Sequence, residues 1–235
     1  LGAFYFTIGN IRPCYRSSIN TIQLFALCKV ELMKKYGIDR ILAPFMQDIN
    51  ALESDNGVTV RVDGVDRVFR GSIGPFSSDN LGAHAIGGFT ESFSSLRICR
   101  VCMATVDDIQ HLFKEEMFQL RTCEMHNRHC QLVAGDPTLS SVYGVKRSSI
   151  LNKSRYFHVI DGLDLDIMHD QLEGVLPLEI KMLIRRLVQE HREISLELIN
   201  ERIANFNYGQ VDQKNKPSPL KQQIFSSDTA SISQT

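Results

Sequence analysis

Hydrophobic and polar positions follow two different periods along the chain, and the switches between them lay out the elements. In "AFYFTIG" (3–9), aromatic and branched residues run together and stop at Gly9-Asn10, which predicts a strand. From Ser18 to Tyr36 the residues Ile19, Ile22, Ala26, Val30 and Met33 fall on one helical stripe, with Gly37 as a C-terminal stop. A second stripe carries Ile41, Leu42, Phe45, Met46, Ile49 and Leu52, where Pro44 either starts the helix or kinks it. The period then changes to two. In "GVTVRVDGVDRVFRGSIGPF", Asp63-Gly64 joins alternating runs at Val58–Val62 and Val65–Phe69 into a hairpin, and a third short strand is expected at Ser72–Phe76.

"SSDNLGAHAIGGF" reads as a strand end feeding a helix, with Asp79 or Asn80 at its start. A short helix is expected in "TVDDIQHLFKEEMF", followed by a loop at Gly135-Asp136-Pro137. Helices follow at Pro177–Glu190, with proline in the first turn, and at Ser195–Phe206. Beyond Asn207 the residues turn polar, which predicts a linker or disordered tail over 207–235.

Composition narrows the classes. The 235 residues suffice for a sizeable core, and 43% apolar with 23% charged residues is ordinary for a globular protein. No apolar run is long enough to span a membrane, and no basic-then-apolar leader stands at the start. A formal net charge of -1 offers no global attraction for nucleic acid. Six cysteines without a leader suggest reduced thiols and a metal, not a disulfide framework.

Those cysteines hold the clearest candidate chemistry. Cys99 and Cys102, in "ICRVCM", have the spacing with which two thiolates reach one zinc ion from a tight turn. In "CEMHNRHC", His126 and Cys130 stand one helical turn apart on a common face; His129 is an alternative to Cys130, and Cys123 a weaker substitute. Four such ligands close the coordination sphere, so the zinc is expected to be structural and to stabilise its segment by roughly 10 kcal/mol. The plainer reading is reduced thiols beside unrelated histidines. A redox pair would open a helix after a strand, and the setting of Cys99 and Cys102 lacks that pattern.

The carboxylates admit two readings. Asp79 either caps the helix that follows or sits as a metal-binding carboxylate at a strand tip. "DGLDLDIMHDQLEG" gathers Asp161, Asp164, Asp166, Asp170 and Glu173 around His169. It lacks the glycine and spacing of a calcium loop and suits a solvated helix N-terminus.

Taken in order, "YFTIGNI", "SSDNLGAH", "CRVCMAT", "YFHV" and "DIMHDQLEGVLP" resemble transposase-like proteins of animal genomes related to CACTA-type (En/Spm-like) DDE transposases. The likeness spans nearly all of residues 1–206. It implies an α/β fold: a partial RNase H-like core, a mixed sheet with flanking helices, over 1–96. A zinc-binding insertion would occupy 97–135, holding Cys99, Cys102, His126 and Cys130, with a mainly helical continuation over 136–206. Asp79 then matches the second catalytic acid, and Asp166 with His169 matches a D-x-x-H signature. The parent enzymes use paired Mg2+ or Mn2+ ions for in-line phosphodiester attack on DNA. No aspartate precedes Asp39, and the first and last acids of the triad are expected outside this sequence, which implies a catalytically inactive chain. The resemblance also implies nuclear localisation, DNA as the intact protein's partner, and a homo-oligomer.

Two further readings stand beside it. One is a zinc-stabilised protein- or DNA-binding module without catalysis, with Arg97, Arg100, Lys146, Arg147, Lys153 and Arg155 as a phosphate-contacting face. The other is a metal-dependent hydrolase, which needs Asp79, Asp166 and His169 to converge in space.

Overall fold

A computed structural model describes residues 2–92 and 95–225; the rest, including 226–235 of the expected tail, lie outside the described residues. The architecture is mixed α/β, with two separate two-stranded antiparallel sheets among the described residues. The chain divides into two compact units, Leu1–Asp164 and Leu165–Thr235.

In the first unit, β1 (Gly2–Phe6) pairs with β2 (Gln23–Cys28). That strand replaces the middle of the helix expected over 18–36, of which only α1 (Val30–Tyr36) forms. "QLFALC" is a short apolar run, and periodicity alone does not separate a strand of that length from a helical turn. Pairing with β1 decides it. The helix α2 (Asp39–Glu53) continues on both sides of Pro44 and buries Leu42, Met46 and Ile49. The hairpin β3 (Val58–Val62) to β4 (Val65–Phe69) forms in the expected register, with Asp63 and Gly64 both at positive φ.

The expected third strand is reduced to one parallel bridge between Phe76 and Leu163. Phe76 donates its N–H to the Gly162 carbonyl at 2.7 Å, and Asp164 N–H returns to Phe76 O at 3.1 Å. Past it, α3 (Asn80–Gly87) ends at Gly88, whose φ of 76° is left-handed. "TVDDIQHLFKEEMF" breaks into a turn at Asp108–His111 and a 3-10 turn at Glu115–Met117. The helix α4 (Cys123–Gly135) begins where the Thr122 hydroxyl accepts the Met125 N–H.

The core joins α2, α3, α4 and the 145–163 segment through Leu42, Met46, Phe89, Val145, Leu151 and Val159. Glu53, at the end of α2 and 8% exposed, is held there by hydrogen bonds. Its carboxylate accepts from Ser72 Oγ and Ser154 Oγ, each at 2.5 Å, and from the Arg155 N–H at 2.7 Å. Burial, the largest influence, pushes this carboxyl upward, but the hydrogen bonds outweigh it and hold it below the usual range.

The second unit starts its helical run earlier than Pro177. A π-helical stretch, Met168–Val175, leads into α5 (Leu176–Arg185), and Arg186–Glu190 continues it with π geometry. Ser195 caps α6 (Leu196–Asn205) by accepting the Leu198 N–H. Residues 207–225 are not a featureless linker. They carry a turn at Gly209–Asp212 and 3-10 turns at Gln213–Asn215 and Gln222–Phe225, and Ile224 is buried. The Asn200 side chain ties this stretch down, accepting the Leu220 N–H at 2.7 Å and donating to its carbonyl at 2.9 Å. Among the described residues, no helix is long and apolar enough to cross a membrane.

Candidate functional site

The Cys99–Cys102 turn closes on the Cys99 sulfur. The Cys99 sulfur accepts the backbone N–H groups of Val101 and Cys102, both at 3.3 Å. A short ladder fixes the turn: Met103 N–H reaches Gln119 O, and Arg121 N–H reaches Val101 O, each at 2.9 Å. Cys102 is buried, and that burial, with the Cys99 sulfur beside it, raises its thiol above the ordinary range.

The second pair forms as its helical spacing requires. His126 Nε2 lies 3.4 Å from Cys130 Sγ on the inner face of α4. His126 is wholly buried, with Phe89 at 5.1 Å and the His158 ring edge-on at 5.4 Å, and its Nδ1 has no hydrogen-bond partner among the described residues. Burial, then His158 and Arg121, pushes the imidazole down to about 3, so it is neutral, as a metal ligand must be. Burial likewise pushes the Cys130 thiol up to about 11. His129 stacks on Tyr143 at 4.2 Å, and its Nδ1 is also buried without a partner. Cys123 turns elsewhere, donating its thiol to Asp161 at 3.0 Å.

Sequence reasoning missed Arg121. It is 4% exposed, and its Nε donates to the carbonyls of both Cys99 and Cys102 at 3.2 Å. Its Nη1 and Nη2 are buried with no hydrogen-bond acceptor among the described residues, and the guanidinium lies over the Phe89 ring, 5.6 Å from its centre. Burial pulls the guanidinium down to about 10, still charged at neutral pH, while Cys99, Cys102 and Cys130 act in the opposite sense. His84 was also missed. Its Nδ1 donates to the Thr90 carbonyl at 2.7 Å, which fixes the tautomer and leaves Nε2 as the acceptor. The signal for both was weak: a lone "RT" before the helix, and a histidine inside an apolar turn.

Thiolates and imidazole nitrogens are the donor set zinc prefers, and among the described residues the buried Nδ1 atoms of His126 and His129 have no hydrogen-bond partner. Each pair is formed. Among the described residues, however, no three His, Cys, Asp or Glu side chains stand together closely enough to hold one ion, so the closed four-ligand site is not assembled.

The predicted catalytic residues are occupied locally. Asp79 Oδ1 accepts the Gly82 N–H at 2.6 Å and caps α3. In the second unit, Asp166 and His169 pair with each other at 2.5 Å, through Oδ2 and Nδ1. The carboxylate that leaves the same end of the Phe76–Leu163 bridge as Asp79 is Asp164, whose Oδ2 accepts from Ser77 Oγ at 2.8 Å.

Five of the six candidate phosphate-contacting side chains are engaged within the protein. Arg97 donates to Val142 O, and Arg100 to Asn80 Oδ1 and Asp164 O. Lys146 pairs with Glu91, Arg147 with Asp39, and Arg155 with Asp55. The second unit carries a separate apolar groove of about 260 Å³ lined by Ile194, Leu198, Ile203, Phe206 and Tyr208. Compared with known proteins, the chain matches no family model, no curated protein and no solved structure.

Proposed function

We propose that this chain is a zinc-stabilised protein-binding module without catalysis, a segment of a DDE-transposase-type protein that includes part of an RNase H-like core. The observation that carries the reading is the Cys99 sulfur held by two backbone N–H groups, with a buried arginine tied to the carbonyls of Cys99 and Cys102. Cys99, Cys102, His126 and Cys130 would hold the zinc. When bound, it cross-links the 99–102 turn to α4 and supplies no reaction.

The lack of catalysis is supported by how the acids are used. Two-metal phosphoryl transfer needs several carboxylates at one place, free to bind cations. Asp79 caps a helix, and Asp166 is engaged with His169. A protein partner is favoured over DNA because phosphate binding would have to displace the internal partners of Arg97, Arg100, Lys146, Arg147 and Arg155. The relation to transposases rests on the ordered motif series.

Elemental analysis of the purified chain tests the reading, with about one zinc per chain expected. A folded, metal-free preparation would overturn the zinc centre. Steeply salt-dependent binding to duplex DNA would overturn the choice of a protein partner.

A further inference from the structure

We propose that the helical run Met168–Glu190 of the second unit is a homodimer interface, on which a second copy of this chain packs antiparallel. This goes beyond the proposed function and does not depend on the zinc. The run is continuous through its π, α and π stretches and spans roughly 30 Å. Its two sides are not those of a solvent-facing helix. The side turned into the unit carries Lys181 and Ile184, both buried, with Pro177 and Val188 half-buried. The opposite side, at helical spacing, carries Met168, Leu172, Val175, Leu176 and Leu183. Leu172 is 57% exposed and Leu183 56%, with Met182 exposed beside it. A helix that shows water an apolar stripe while burying a lysine presents a surface built to be covered.

Charge names the occupant. Asp164, Asp166, Asp170, Glu173 and Glu179 lead into and along the first half, and no lysine or arginine falls between Arg155 and Lys181. Lys181, Arg185 and Arg186 follow, so the run is acidic at its start and basic towards its end. A parallel neighbour would set like charges together. An antiparallel copy sets each half against its opposite, and the apolar stripe then meets itself across a twofold axis. Glu179 and Arg186 make the pairing specific: both are exposed and share the stripe, seven residues apart. Arg186 donates Nε to His191 Nε2 at 3.1 Å, and among the described residues neither it nor Glu179 forms an ion pair within the chain. Antiparallel packing brings Glu179 of each copy toward Arg186 of the other. An anionic surface, whether nucleic acid or lipid, is repelled by the acidic half.

The test is sedimentation equilibrium of the full chain over a dilution series, with the folding of every variant checked by circular dichroism. The parent chain should reach the mass of two chains and dissociate on dilution. Leu172→Glu and Leu183→Glu, each at an exposed position, should raise the dimer Kd by at least about tenfold, the loss expected of a central interface anchor. Glu179→Arg and Arg186→Glu should each weaken the dimer by bringing like charges together, and the double variant should recover most of the loss. A parent chain that keeps one chain's mass at every concentration overturns the proposal. So does a dimer that tolerates both leucine changes, and charge variants whose losses simply add overturn the antiparallel placement. Should a leucine variant fail to fold, the charge variants, both at exposed positions, decide the matter. Zinc content measured on the same samples tells a failed dimer from a failed zinc centre.

Discussion

Asp166 holds His169 twice: Oδ1 accepts its backbone N–H at 3.1 Å, and Oδ2 meets its ring Nδ1 at 2.5 Å. The D-x-x-H string is thereby a helix-opening device, in which one carboxylate satisfies an orphan N–H of the first turn and orients an imidazole. The His169 backbone N–H is the largest influence that holds the Asp166 carboxyl below the ordinary range, with the His169 side chain adding to it against the opposing effect of burial. A depressed folded-state value means the contribution is complete above the unfolded value and is lost as pH falls through the folded one. Acid titration followed by far-ultraviolet circular dichroism should show this helix start fraying first. Asp166→Ala should abolish that step, and an unchanged acid profile in the variant would refute the assignment.

Asp79 is expected to act on stability and not on chemistry. Replacing it by alanine removes the acceptor for Gly82 N–H and should cost about 1 kcal/mol in urea denaturation. Asp79→Ser, which keeps a capping oxygen, should recover most of that loss. Magnesium- or manganese-dependent DNA cleavage by the parent chain, abolished in Asp79→Ala, would restore the hydrolase reading.

Glu53 gathers three donors in a buried setting. Glu53→Gln exchanges a charge-assisted acceptor for an amide that cannot accept from all three, and a loss of about 2 kcal/mol is expected at neutral pH. Since the folded carboxyl sits below its ordinary range, the difference between the two chains should shrink as pH falls through that folded value. A gap independent of pH would place the effect in packing.

Gly88 is a stringent backbone position. Its φ is 76°, and an added Cβ would lie 2.2 Å from the Arg147 carbonyl oxygen, itself backbone. The same residue accepts the Lys146 N–H at 2.7 Å and turns the chain into Phe89, which is 1% exposed. Gly88→Ala should therefore cost more than about 1 kcal/mol, read as a lowered Tm. Gly209, also at positive φ but with no atom near its Cβ position, should tolerate alanine better.

What the sequence determined by itself is the set of local devices. Asp63-Gly64 makes the hairpin because both positions need positive φ, and Asp79, Thr122 and Ser195 cap helices because their oxygens lie within three residues of an unpaired N–H. Helical spacing likewise brings His126 to Cys130. Tertiary structure decided the rest. Gln23–Cys28 is a strand because β1 pairs with it, and Ser77 meets Asp164 because Phe76 bridges Leu163. Arg121, an ordinary basic residue in sequence, is a buried tie to the Cys99 and Cys102 carbonyls only in the folded chain. Such features depend on burial and on partners far along the chain, and a charge's meaning changes with what surrounds it once water is gone.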